Sequence, residues 1–140
     1  MAFTNVPPLQ PHICVKGGLE AIAFYEKAFG AENTFHQLAE DGRRVMHANL
    51  AIYGGEVMLH DEFPEFEMAV SAPTTVGGTS IAISINLADP AAVDAAFAKA
   101  VGAGAHPLMP PADVFWGARY ARITDPFGHI WAFNAPLERQ

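Results

Sequence analysis

Tyr25-Glu26-Lys27-Ala28-Phe29-Gly30-Ala31 has a counterpart in Phe97-Ala98-Lys99-Ala100-Val101-Gly102-Ala103, and a recurrence at a shift of roughly seventy residues marks an internal repeat. In both stretches apolar residues at helical spacing run into a glycine. Leu19, Ile22, Tyr25 and Phe29 form the first stripe, stopped by Gly30. Val93, Phe97, Ala100 and Val101 form the second, stopped by Gly102 and Gly104. A glycine just past the last apolar position can take the left-handed conformation that closes a helix. Asp89-Pro90 opens the second helix, Asp as a side-chain cap and Pro in the first turn. The spacing predicts helices over 18–29 and 90–102.

Working outward, each helix follows a strand. Ser80-Ile81-Ala82-Ile83-Ser84-Ile85-Asn86-Leu87 alternates large apolar with small or polar residues, the pattern of a half-buried strand. Residues 10–16 take that place in the first half. After each helix come three more strand-like runs, 32–40, 43–53 and 56–61, then 106–114, 118–124 and 129–134. Asp41-Gly42, Gly54-Gly55 and Pro126-Phe127-Gly128 supply turns that join them as hairpins. The reading is an α+β chain of two βαβββ modules, residues 10–61 and 79–135. The Pro- and Gly-bearing stretch 62–78 is the linker.

Composition narrows the function classes. The 140 residues are 51% apolar, ample for a packed interior. Fifteen acidic against eight basic side chains give a net charge of −7, which would repel a phosphate backbone, so nucleic acid is a poor partner. No apolar run approaches the roughly 20 residues that span a bilayer, and the opening lacks the basic and apolar regions of a signal peptide. One cysteine, Cys14, cannot form an internal disulfide. These features point to a soluble, cytoplasmic protein. The run Asp61-Glu62-Phe63-Pro64-Glu65-Phe66-Glu67 reads as solvated loop.

Several stretches together resemble the vicinal-oxygen-chelate superfamily, of glyoxalase and bleomycin-resistance type, in its PhnB-like branch. They are Ala21-Ile22-Ala23-Phe24-Tyr25-Glu26-Lys27-Ala28-Phe29-Gly30-Ala31, His47-Ala48-Asn49-Leu50, Asp61-Glu62, Trp116-Gly117-Ala118-Arg119 and Asp125-Pro126-Phe127-Gly128-His129-Ile130-Trp131. The resemblance implies that each module curls into a half-barrel with its helix on the convex side and a ligand cavity on the concave side. It implies homodimers. It also implies four metal-ligand places, on the first and last strand of each module. Counting from the motifs puts these at Gln10, at Ser80 or Ala82, at Leu59 and at Ala132. None supplies an imidazole or a carboxylate, so the usual metal centre is expected to be absent and no cofactor is expected.

Other polar residues remain. Strand alternation places His47 with Asn49, and the repeat lays Tyr120 and Arg122 over them. With Gln10, His12 and Trp116 they form the candidate ligand-binding set, predicted to converge on one cavity while Ile81, Ile83, Ile85 and Leu87 face the helices. The alternative for each is a strand residue satisfied by nearby backbone. Arg122 or Arg119 could grip a carboxylate or phosphate, or pair with Asp125 or Glu56. Cys14 shares a strand face with His12, as a thiolate nucleophile or as a small buried hydrophobe. His129, after the turn glycine, reads as turn or interface structure. No catalytic residue is identified. Two functions compete, a metal-free small-molecule-binding protein and a metal-dependent lyase, isomerase or dioxygenase whose divalent ion sits on a rearranged set, His12, His47 and His60. A methyltransferase lacks its glycine-rich nucleotide loop.

Overall fold

The computed structural model describes residues 7–66 and 69–138. The first module is β1 (His12–Val15), α1 (Gly18–Phe29), β2 (Glu32–Leu38), β3 (Val45–Ile52) and β4 (Gly55–Asp61). The second is β5 (Ala82–Asn86), α3 (Pro90–Ala103), β6 (His106–Val114), β7 (Ala118–Thr124) and β8 (Ile130–Pro136). Each forms a four-stranded sheet, in the orders β1-β4-β3-β2 and β5-β8-β7-β6. First and last strands pair parallel, and the others are antiparallel. The two βαβββ modules are as the repeat predicts, and neither sheet closes into a barrel. No helix among the described residues is long and apolar enough to cross a membrane.

One core serves both modules. Ile13, Val15, Leu50 and Leu59 from the first sheet, Ile85, Ile123, Trp131 and Phe133 from the second, and the inner faces of α1 and α3 join in a single buried cluster. Phe29 lies with its ring centroid 4.8 Å from that of Trp131, so α1 of one module packs on the strands of the other. Burying each such large side chain contributes about 1.5–3 kcal/mol. Because the sheets share one core, the opposite face of each sheet points away from it.

Asp125 fastens the modules polarly. Its Oδ2 accepts from Tyr25 Oη at 2.5 Å and Trp131 Nε1 at 2.8 Å, while Oδ1 accepts from the backbone N–H groups of Phe127 and His129. Burial, then the facing carboxylate, pushes the Tyr25 hydroxyl well above its ordinary range, so it stays a donor. His129 Nε2 sits 2.7 Å from the Cys14 carbonyl oxygen, a second bridge between modules.

Four expectations change. Leu19 is exposed, because α1 turns Ala21, Phe24 and Ala28 inward beside Ile22, Tyr25 and Phe29. Ile81 precedes β5 and is 61% exposed, whereas Ile83, Ile85 and Leu87 do pack on the core. The acidic run is not simply solvated. Asp61 is buried and accepts from the N–H groups of Gly17, Gly18 and Val45, neutralising the start of α1. Glu62 accepts from Ala72 N, and Glu65 pairs with Arg44 at 2.6 Å. Glu67 lies outside the described residues. Finally, the linker carries a 3-10 turn (Pro64–Phe66) and a short helix α2 (Pro73–Val76), which packs against β1.

Candidate functional site

Alternation along the strands sorts the polar candidates. In β3, Ala48, Leu50 and Ile52 enter the core, which turns His47 and Asn49 outward. In β7, Ala121 and Ile123 enter it and Tyr120 and Arg122 turn outward. The two groups therefore stand on the outer faces of different sheets, which point away from the shared core. Each is a cluster in its own right, but within one chain they do not meet.

The first cluster is histidine-rich. The His12 ring lies 5.5 Å from His47 and 4.8 Å from His60, edge to face in both cases. His47 Nε2 lies 2.8 Å from Asn49 Oδ1 and donates to it. His60 is buried and its Nδ1 donates to the Asp61 carbonyl at 2.7 Å, leaving Nε2 bare. His12, lying mostly in the open between them, is held below its usual 6.5 by partial burial, then by His60 and His47. Phe35, cross-strand from Asn49, flanks the group. Gln10 is drawn aside by a 2.5 Å bond from Nε2 to Glu56 Oε1. His60, two residues after Met58 on the same strand face, lies outside the predicted ligand-binding set but belongs with His12 and His47 to the alternative set, and these three rings do come together.

Across the molecule, Arg122 Nε donates to Tyr120 Oη at 2.8 Å, and its guanidinium carbon lies 5.6 Å from that ring's centroid. Trp116, in the turn before β7, meets Tyr120 edge to face at 5.4 Å and is 53% exposed. Arg119 belongs to no such group, since it pairs with Asp94 and Asp113 on the surface.

The implied metal does not fit these residues. Gln10 is engaged with Glu56, while Ala82 and Ala132 carry no donor. The fourth place requires a correction: Leu59 is fully buried in the core and faces α1 rather than a cavity. The turn residue matching Gly128 (φ 92°) is Gly54 (φ 81°), not Gly55, so the count of four ends on Met58. Met58 pairs with His12 and Asn49 as Ala132 pairs with Ser84 and Arg122. Among the described residues, no three His, Cys, Asp or Glu side chains are arranged to hold a metal ion. Cys14 is buried, and burial with the nearby Glu62 and Asp61 carboxylates pushes its thiol up to about 11, so it is inert as a nucleophile near neutrality.

A cleft of about 390 Å³ opens elsewhere, at the seam between modules, lined by Leu9, Tyr53 and Glu56 on one side and Ile83, Ser84 and Asn86 on the other. None of the seven sequence-predicted ligand residues lines it.

Comparison with known proteins agrees with this geometry. Residues 9–133 match the Glyoxalase/Bleomycin resistance protein/Dioxygenase superfamily. An uncharacterised Mycobacterium bovis protein is 40% identical over 138 residues, covering 98% of this chain and 88% of its own. Among solved structures, TioX from Micromonospora sp. ML1 superposes with a TM-score of 0.68 at 24% identity, covering 96% of this chain and 99% of that one. A PhnB protein from Bacillus cereus gives 0.69 at 17% identity, covering 92% and 99%. With two βαβββ modules and a family match spanning nearly the whole length, the chain belongs to the glyoxalase/bleomycin resistance protein/dioxygenase superfamily.

Proposed function

We propose that the chain is a metal-free, cytoplasmic, homodimeric small-molecule-binding protein, whose cavity forms when the outer face of the first module meets the outer face of the second module of another copy. The observation that carries this reading is the pair of half-sites. Each sheet turns outward a cluster of hydrogen-bonding side chains edged by exposed apolar ones, Phe35 at 39% on one face and Met109 at 43% and Trp116 at 53% on the other. Neither face alone encloses a ligand, while binding sites bury most of a small molecule within a concave wall. Swapped pairing would give two cavities per dimer, each with His12, His47 and Asn49 from one chain and Trp116, Tyr120 and Arg122 from the other.

The competing reading, a metal-dependent enzyme on His12, His47 and His60, draws on the mutual contact of those rings. Light scattering and elemental analysis on protein purified without chelators separate the two. We expect a dimer without stoichiometric metal. Zn, Fe, Mn or Ni retained at one ion per chain overturns the metal-free reading, and a monomer at micromolar concentration overturns the shared cavity.

A further inference from the structure

Arg122 differs from Arg44 and Arg119, which are ion-paired, and from Arg43, which has no ion pair among the described residues but is exposed in the loop before β3. Arg44 pairs with Asp41 and Glu65, and Arg119 with Asp94 and Asp113. Arg122 is half-buried on β7, and among the described residues no carboxylate reaches it. The chain has nearly twice as many acids as bases, so a partner was not scarce. A partly desolvated cation without a counter-charge is costly to maintain, and such a group in a recognition surface is a ready anchor for an anion.

Its surroundings define what kind of anion. The cross-strand neighbours of Arg122 are Ala132 and Met109, which leave room beside the guanidinium and offer no competing charge. Nε is spent on Tyr120 Oη, which fixes the plane of the fork and leaves its outer N–H groups for a ligand. One fork balances one negative charge. A phosphate dianion would want a second cation, and none of the contacts around Arg122 supplies one. Tyr120 and Trp116 lie along the same face, their rings suited to a flat body. Asn134, directly across from Tyr120, has a buried Oδ1 without a hydrogen-bond partner. Its Nδ2 makes only a long 3.5 Å contact with Asn86 Oδ1, so the amide can turn to present Oδ1 to a donor on the ligand.

We propose that this half-site binds a planar aromatic monocarboxylate carrying a hydroxyl or amine donor, with the carboxylate on Arg122, the ring against Tyr120 and Trp116, and the donor on Asn134. The assignment rests on the small-molecule-binding reading above and names its ligand class.

The test uses the whole 140-residue chain and three probes, 4-hydroxybenzoate, benzoate and the uncharged 4-hydroxybenzamide, followed by calorimetry and by Trp116 fluorescence. Trp131 is fully buried, and Trp116→Phe serves to assign the signal. The expected order is 4-hydroxybenzoate tightest, benzoate weaker, and the amide weakest. Arg122→Gln should weaken 4-hydroxybenzoate at least about tenfold, the loss of a charge-assisted bidentate contact, and leave the amide unchanged. Asn134→Leu should abolish the preference for 4-hydroxybenzoate over benzoate. A thermal melt of each variant separates lost binding from lost fold. Arg122→Lys provides a second, gentler variant that keeps the charge but not the fork. Equal binding of carboxylate and amide, or unaltered carboxylate affinity in both folded Arg122 variants, overturns the ligand class while leaving the binding-protein reading standing. Failure of all three probes overturns the ligand class too, and a broader library without any binder overturns both.

Discussion

At Gly18 the fold tolerates no side chain. A Cβ built there would stand 2.5 Å from Asp61 Oδ2 and 2.6 Å from Val45 Cγ2. Asp61 cannot retreat, because it holds three N–H groups at the start of α1 and of β3. Gly18→Ala should therefore destabilise by about 1–3 kcal/mol, the usual range for overpacking a tight site, read as a lower urea midpoint with unchanged slope. His12 gives a pH signature of opposite origin. Its folded pKa lies below the ordinary 6.5, so the unfolded chain takes up that proton first. Stability is then level above pH 6.5, declines below it until the folded-state pKa is passed, and His12→Gln should flatten the decline in urea titrations taken from pH 7.5 to 5. The shape of this site was only partly legible in the sequence. Strand alternation correctly paired His47 with Asn49 and Tyr120 with Arg122, because period two needs no partner to be read. His60 was legible only as a member of the alternative set with His12 and His47, and Leu59 was put in the place of Met58 because one glycine was chosen over the next as the origin of a count. A shift of one residue on a strand exchanges the two faces.

Among elements, the turn 125–128 and α1 act together. Tyr25→Phe would strip Asp125 of one of its four donors and leave a carboxylate oxygen underpaired in the interior. We expect a loss of about 1–3 kcal/mol, seen in the thermal midpoint, and a near-UV circular dichroism change from the adjoining Trp131. The repeat legible in Tyr25 to Ala31 and Phe97 to Ala103 placed both helices and all eight strands within a few residues. What it could not convey was the side on which the modules meet. Helical period marks α1 as having an apolar stripe, but not that Phe29 would lie against Trp131 of the other module. That choice is made by packing between segments about a hundred residues apart, which no local pattern encodes. The same blindness made the polar sets look as if they would converge. Likewise Asp61 and Glu62 looked like solvated charge because their acceptor roles depend on N–H groups brought in by β3 and the linker.

For the molecule as a whole, the proposed function makes the two outward polar clusters halves of sites that a second copy completes. If the swapped dimer forms, every cavity is a joint product of two chains, and damage to the two faces can be separated between them. A His47→Ala subunit dimerised with itself has two cavities lacking the same histidine, and an Arg122→Gln subunit two lacking the same arginine. Mixing them after mild unfolding should give heterodimers in which one cavity carries both lesions and the other carries neither. Ligand binding, measured by titration, should reappear at one site per mixed dimer with native affinity, and a mixture no better than its parents would place the whole site within a single chain. In genetic terms, two alleles that each fail alone would rescue one another in the same cell, while a single allele damaged on both faces would spoil both cavities of every dimer it enters.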